Sequence, residues 1–169
     1  MTRGTRREPP GFSDFVAARG TSLVRTATLL THDHAAAEDL VQTALAKAWP
    51  KWERTEQHEA YVRKIIVHEF ARGWRRKWRG EIATEELPER AHADGSEAVA
   101  VREDILRALA MLPPKQRAVI VLRYFHDYTE ADIASVLGIS AGTVKSHASR
   151  GLAALRISSD ISDHAGRQS

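Results

Sequence analysis

Two groups of side chains in this sequence have the types and spacing to hold a polyanion. Arg72, Arg75, Arg76 and Arg79 recur at i, i+3, i+4 and i+7, so an unbroken helix would line four guanidinium groups along one face. Their mutual repulsion is unfavourable without an anion. Lys77 adds a cation, and Trp74 and Trp78 stand four residues apart beside the stripe. A cationic track interleaved with large rings suits a nucleic acid whose bases can be unstacked, since cations hold phosphates and each base–aromatic stack contributes about 1–3 kcal/mol. Further on, Lys145, Ser146, Ser149 and Arg150 share one side of a second helical pattern, with Thr143 beside them. Two cations and two hydroxyls in a short row can meet phosphates and base edges in a major groove. The chemistry in both places is recognition rather than bond-making. The plainer alternatives are a helical hairpin with a solvated charged face, and a basic helix in which Trp74 is core and Trp78 covers a helix end.

The elements that must position the second row are legible nearly residue by residue in the stretch YTEADIASVLGISAGTVKSHASRGLAALR, residues 128–156. Thr129 stands as an N-cap, with Asp132 three residues on. Ile133, Val136 and Leu137 follow at helical spacing, Ala134 lets a second helix approach closely, and Gly138 fits a left-handed C-terminal residue. After Ile139, Ser140 caps another helix. There Val144, Ala148, Gly151 and Leu155 face the protein, with Leu152 on the flank, and the polar row faces away. Two short helices joined by a tight turn form a helix-turn-helix.

The remaining sequence reads as helix as well. The periodic positions Phe12, Phe15, Val16, Leu23, Ala27 and Leu30 mark a first segment, weakened at Gly20, with a break at 31–34. Val41, Ala44, Leu45, Ala48 and Trp49 form the apolar stripe of an amphipathic helix over 35–49 that Pro50 ends, while Asp39, Gln42 and Ala46 point elsewhere. A third helix starts near His58, with Val62, Ile65, Ile66, Phe70 and Trp74 inward. Residues 81–98 are rich in Glu and Ala, with Asp94 and the breakers Pro88 and Gly95, and read as an acidic linker. Val101, Ile105, Leu109 and Leu112 resume the pattern up to the Pro113-Pro114 pair, and a helix over 115–125 precedes the helix-turn-helix. Residues 1–11, with three arginines and a Pro-Pro pair, and residues 158–169 are expected to be flexible tails. The expectation is an all-α chain of two small helical domains, 12–80 and 99–157, joined by a flexible acidic linker.

Composition removes several classes of function. A chain of 169 residues, 43% apolar, can bury a core in one domain or in two small ones. It has no cysteine, which excludes disulfides, thiolate zinc sites and cysteine nucleophiles and suits a reducing cytosol. No apolar run approaches the roughly 20 residues of a membrane span, and the basic N-terminus lacks the apolar stretch of a signal peptide, so the chain reads as cytoplasmic. The net charge of +3 is mild; its uneven distribution is what points to partners. His32, Asp33, His34 and Glu38 could be imagined as a metal cluster, but they bracket a turn and lack HExxH spacing.

An N-terminal unit containing EDLVQTALAKAW, a basic aromatic helix, a linker, and then LPPKQRAVIVLRYFHDYTEADIASVLGISAGTVKSHASRGLAALR together resemble an extracytoplasmic-function sigma factor of the sigma-70 family, in the short form abundant in actinobacteria. The likeness covers nearly all of the chain. It implies that 12–80 corresponds to region two and 99–157 to region four. The helix over 35–49 would then dock on the clamp helices of the RNA polymerase beta-prime subunit through Asp39 and Gln42. The segment 61–79 would melt and hold the minus-ten element, with Arg72, Trp74, Arg75, Arg76, Trp78 and Arg79 as the DNA-facing set. Thr143, Lys145, Ser146, Ser149 and Arg150 would face the minus-thirty-five element. The implied partners are core RNA polymerase, promoter DNA and an anti-sigma factor, with no cofactor and no membrane. Two positions depart from the pattern: His68 stands where relatives often have asparagine, and His147 replaces an arginine common after TVKS. The linker could extend to about 60 Å, comparable to nearly two duplex turns of about 34 Å each. The rival function is a self-sufficient helix-turn-helix regulator with a sensor or dimerisation unit in front, against which the second basic aromatic helix argues.

Overall fold

The computed structural model describes residues 7–78 and 97–166, with side chains described over 7–78 and 103–156. Among these residues there are helices and turns but no strand. The first unit is a bundle of α1 (Phe12–Thr31), α2 (His34–Ala48) and α3 (His58–Trp78), each packed on the other two. α1 ends because His32 turns left-handed at φ 54°. Asp33 then starts α2 by accepting a hydrogen bond from the Ala36 amide at 3.1 Å, the short-chain capping chemistry that an Asp at this position allows. Leu23, Ala27, Val41, Ala44, Val62, Ile66, Val67 and Ala71 fill the core.

After α2 the chain tightens into a 3-10 turn, Trp49–Arg54, where Pro50 removes an amide that an α-helix would need. This turn drives Trp52 into the bundle, 1% exposed. The His58 imidazole stacks on its indole at a centroid separation of 3.9 Å, and the rings of Phe12 and Phe15 meet it edge-on at 4.8 and 5.0 Å. His58 Nε2 also lies 3.0 Å from the Trp52 carbonyl oxygen. His58 therefore joins the start of α3 to the core.

The second unit holds α4 (Glu97–Ala110), α5 (Pro114–Tyr124), α6 (Glu130–Leu137) and α7 (Ala141–Gly166). Thr129 caps α6 by accepting from the Asp132 amide at 3.1 Å, Gly138 closes it at φ 69°, and Ser140 caps α7 by accepting from the Thr143 amide at 3.1 Å. Each of these three roles agrees with the expectation from sequence. Val119, Ile120, Val121, Leu122, Ile133, Leu137 and Val144 form the core. Gly151 is what allows α7 to lie close on α5: a Cβ placed there would fall 2.8 Å from Ile120 Cγ1. Ile120 is itself 2% exposed and has nowhere to move. Gly151→Ala gains about 1 kcal/mol in helix propensity, yet the overpacking costs about 1–3 kcal/mol. The expected outcome in urea denaturation is a net loss near 1 kcal/mol.

The structure differs from the expected domain layout in three places. α7 continues without interruption to Gly166, so most of 158–169 is helix and not a tail; residues 152–165 contain no Gly or Pro to stop it. α4 begins at Glu97, inside the span expected as linker, and residues 79–96 lie outside the described residues. The two units are also in contact, α5 against α1 and α6 against α3, where the sequence suggested independent modules. Apolar periodicity reports which side of a helix is buried, not whether two bundles touch.

Candidate nucleic-acid interface

The first cationic surface is the C-terminal half of α3. Val62, Ile66, Val67 and Ala71 are buried on one side of this helix, which turns Arg72 and Arg76 outward, both exposed. Arg75 is half-buried, and Arg79 lies outside the described residues. Phe70, Trp74 and Trp78 form a run of tilted rings with centroid separations of 5.9 and 5.3 Å. Trp74 is half-buried against the core, whereas Trp78 is 43% exposed and carries the Lys115 ammonium 4.5 Å from its ring centroid. The aromatic pair is thus divided: one ring anchors the ladder and the other ends it.

Glu69 organises the start of this surface. Its carboxylate accepts from Lys47 of α2 and, at 3.4 Å, from Arg72. The Lys47 hydrogen bond is the main reason its acidity is raised, with the pKa held below the ordinary carboxylate value against the opposing effect of burial. The i, i+3 spacing of Glu69 and Arg72 was visible in the sequence; the bridge to Lys47, 22 residues away, was not. Asp39 and Gln42 are both exposed on α2, away from the buried stripe Ala37, Val41, Ala44 and Ala48.

The second surface is the first half of α7. Val144 and Gly151 are buried, Ala148 is half-buried, and Lys145, Ser146, Ser149 and Arg150 are all exposed on the opposite side. Thr143 is half-buried, its hydroxyl 2.7 Å from that of the capping Ser140. Lys145 Nζ lies 4.0 Å from a Glu130 carboxylate oxygen, an exposed pair that a phosphate could displace. His147 is half-buried; burial first, then Lys115 and Arg150, lower its pKa, so it adds no charge to this row at neutral pH. α6 and α7, joined by the Gly138 turn, leave the outer face of α7 clear, as entry into a major groove requires.

The residues that could have suggested a metal cluster have other roles. His32 ends α1, Asp33 caps α2, and His34 Nε2 lies 3.1 Å from Glu38 one turn along. Among the described residues no helix is long and apolar enough to cross a membrane.

Known proteins carry the same two-part arrangement. Residues 15–80 match the family profile described as Sigma-70 region 2, and residues 102–155 match that described as Sigma-70, region 4. The chain is 40% identical to the RNA polymerase sigma-E factor of Streptomyces coelicolor over 148 residues, which span 86% of this chain and 84% of that protein. It is 36% identical over 143 residues to the ECF RNA polymerase sigma factor SigL of Mycobacterium tuberculosis, covering 80% and 81% of the two chains. Among solved structures, the sigma factor RpoE of Bartonella quintana, determined in complex with the anti-sigma factor NepR, aligns at a TM-score of 0.57 with 29% identity, covering 88% of this chain and 96% of that one. With both regions in order, two cationic helical faces and this identity over most of its length, the chain belongs to the extracytoplasmic-function group of the sigma-70 family, the factors that direct RNA polymerase to promoters to initiate transcription.

Proposed function

We propose that this sigma factor grips core RNA polymerase through the exposed face of α2, captures the opened minus-ten element on α3 and reads the minus-thirty-five duplex with α7, acting stoichiometrically in the cytoplasm without catalysing a reaction of its own. The observation that carries this reading is the pairing of two unlike cationic surfaces on one chain. α7 exposes a short polar row suited to base edges in a groove, while α3 ends in a ladder of rings suited to unstacked bases. A protein that only grips duplex DNA has use for the first alone. Holding an extruded base offsets an unstacking cost of a few kcal/mol with new stacking and hydrogen bonds, and Trp78, at 43% exposure, is the candidate ring for it. Region 12–80 serves polymerase and the minus-ten element, and 99–157 serves the minus-thirty-five element. An anti-sigma factor is a further partner, by analogy with the complex of the Bartonella protein.

Run-off transcription with core polymerase on a genomic fragment library tests the whole reading. Discrete, factor-dependent transcripts are expected; tight duplex binding by the free chain together with failure to bind core would overturn it. Two substitutions test its parts. Arg150→Ala is expected to cost about 1–3 kcal/mol at matched promoters and much less at mismatched ones, measured by filter binding of holoenzyme. An equal loss on all sequences would make Arg150 a phosphate contact. Asp39→Arg is expected to weaken attachment to core polymerase by tenfold or more in a competition assay while the circular dichroism melt is unchanged, because the side chain is exposed. A shifted melt would assign Asp39 to the fold instead.

A further inference from the structure

Resting on that reading, we propose that Gly73 is the point where the sugar–phosphate backbone of the opened minus-ten strand lies directly against α3, and that the strand seats only because the helix is bare there. Gly73 stands inside the 21-residue helix α3 and is exposed. Of all residues except proline, glycine is the poorest choice for a helix interior, because it gives up the most backbone freedom. Among the described residues nothing asks for it. Its backbone is helical, whereas the described glycines with positive φ are Gly11 and Gly138. A Cβ placed on Gly73 would meet no described atom within 4 Å. Gly151 is the contrast, since its missing side chain makes room for Ile120. Gly73 therefore weakens α3 without serving the packing, and an approaching ligand is what its gap serves.

The surroundings of the gap select the ligand. On a helix the surface neighbours of a residue are those three and four positions away, and side chains lean towards the N-terminus. Arg76 and Lys77 border the gap on its C-terminal side, and Glu69 and Phe70 lie one turn before it. Arg76 is exposed, as is Arg72 next to the gap, and Lys77 is half-buried. Glu69 does not repel an anion here, because Lys47 and Arg72 hold its carboxylate. Cations beside bare helix are what a nucleic-acid phosphate requires. Trp74 projects about 100° round the helix from Gly73, so the ladder of Trp74 and Trp78 runs beside the gap and not over it. A strand lying on α3 can rest its backbone at Gly73 while its bases turn towards the rings. Its oxygens then reach the glycine Cα–H at about 3.3–3.6 Å. A methyl group would fill that space and lift the strand off the cations and the rings together.

Gly20 supplies the control. It too lies inside a helix, in α1, and a Cβ there would meet only Val16, at 3.9 Å, an ordinary contact. Its helical neighbours are Val16, Ala17, Leu23 and Val24, with no charge among them. Alanine should therefore strengthen the helix at either glycine, and disturb DNA at Gly73 alone.

The test uses the full chain assembled with core polymerase, on a fluorescent DNA fragment from a promoter that the parent transcribes, with the minus-ten segment left unpaired as a bubble. Gly73→Ala and Gly20→Ala are each expected to raise the thermal midpoint of the free chain by a few degrees in circular dichroism and to leave affinity for core polymerase unchanged. On the bubble fragment Gly20→Ala should bind as the parent does and Gly73→Ala several-fold more weakly. Gly73→Leu should bind more weakly by an order of magnitude or more, although leucine is a strong helix former. The loss should persist when the unpaired bases are changed, because backbone contacts carry no sequence information. Parent-like binding by Gly73→Leu, or a loss confined to one bubble sequence, overturns the proposal. So does an equal loss for alanine and leucine, which would mean that α3 must bend there, or a lowered melt for Gly73→Ala, which would mean that the glycine serves the fold. If the parent transcribes and Gly73→Leu binds normally, the close approach alone fails; if the parent transcribes no fragment with core polymerase, the functional reading fails and takes this inference with it.

Discussion

Replacing Trp52 by alanine is expected to lower the stability of the chain by about 3–5 kcal/mol, the range for deleting a fully buried indole. Trp52 is 1% exposed, meets the rings of Phe12 and Phe15 edge-on and stacks on His58. The loss therefore strips contacts from the start of α1 and of α3 together, and neither helix end can collapse into the void without unseating the other. Small domains have about 5–15 kcal/mol in total, so the variant should be partly unfolded at physiological temperature. Trp52→Phe separates packing from polarity. The smaller ring keeps much of the volume and removes the indole Nε1, which is buried without a hydrogen-bond partner. Its expected cost is only about 1–2 kcal/mol. Chemical denaturation followed by circular dichroism measures both, and a loss below about 1 kcal/mol for the alanine variant would show that the first unit does not depend on this ring.

Acid should weaken the fold through His126. Burial, then the Arg63 guanidinium, push its pKa down from 6.5 to about 4, with Asp127 pulling weakly the other way. The imidazole is neutral in the folded chain at pH 6 while the unfolded chain has begun to take up a proton. The unfolded state binds more protons throughout the interval between the two values, so stability is fully present above about pH 6.5 and declines as the pH falls towards 4. At about 1.4 kcal/mol per unit the whole interval is worth about 3 kcal/mol, and about 2 of those are lost between pH 7 and 5. His32, whose pKa is lowered by burial and then by Arg117, acts in the same direction. His126→Gln keeps a polar side chain of similar size but does not titrate, so its stability should fall much less steeply over this range. Equal slopes for parent and variant in urea titrations at pH 7, 6 and 5 would remove His126 from the account.

Both expectations rest on residues whose importance the sequence did not announce. Trp52 follows Pro50 in a stretch without helical period, and only the 3-10 turn carries its ring inward. No motif or helical period singles out His126, and it is the contact between the two units that places it at a desolvated joint near Arg63. The same holds for Lys115 over Trp78 and for Lys47 on Glu69. None of these pairs has a spacing that a helix period would reveal.

By itself the sequence determined the existence and order of the seven described helices, the caps Thr129, Gly138 and Ser140, and the outward direction of Asp39, Gln42, Lys145, Ser146, Ser149 and Arg150. These are local matters: a cap is settled within four residues of chain, and the exposed face of a helix follows from which positions are apolar. What tertiary structure decided was nonlocal. It extended α7 to Gly166, divided Trp74 from Trp78 by burial, half-covered Arg75 and brought the two units together. Each of those outcomes depends on side chains far apart in the chain meeting at van der Waals distance, and periodicity along one helix carries no record of its neighbour across the gap.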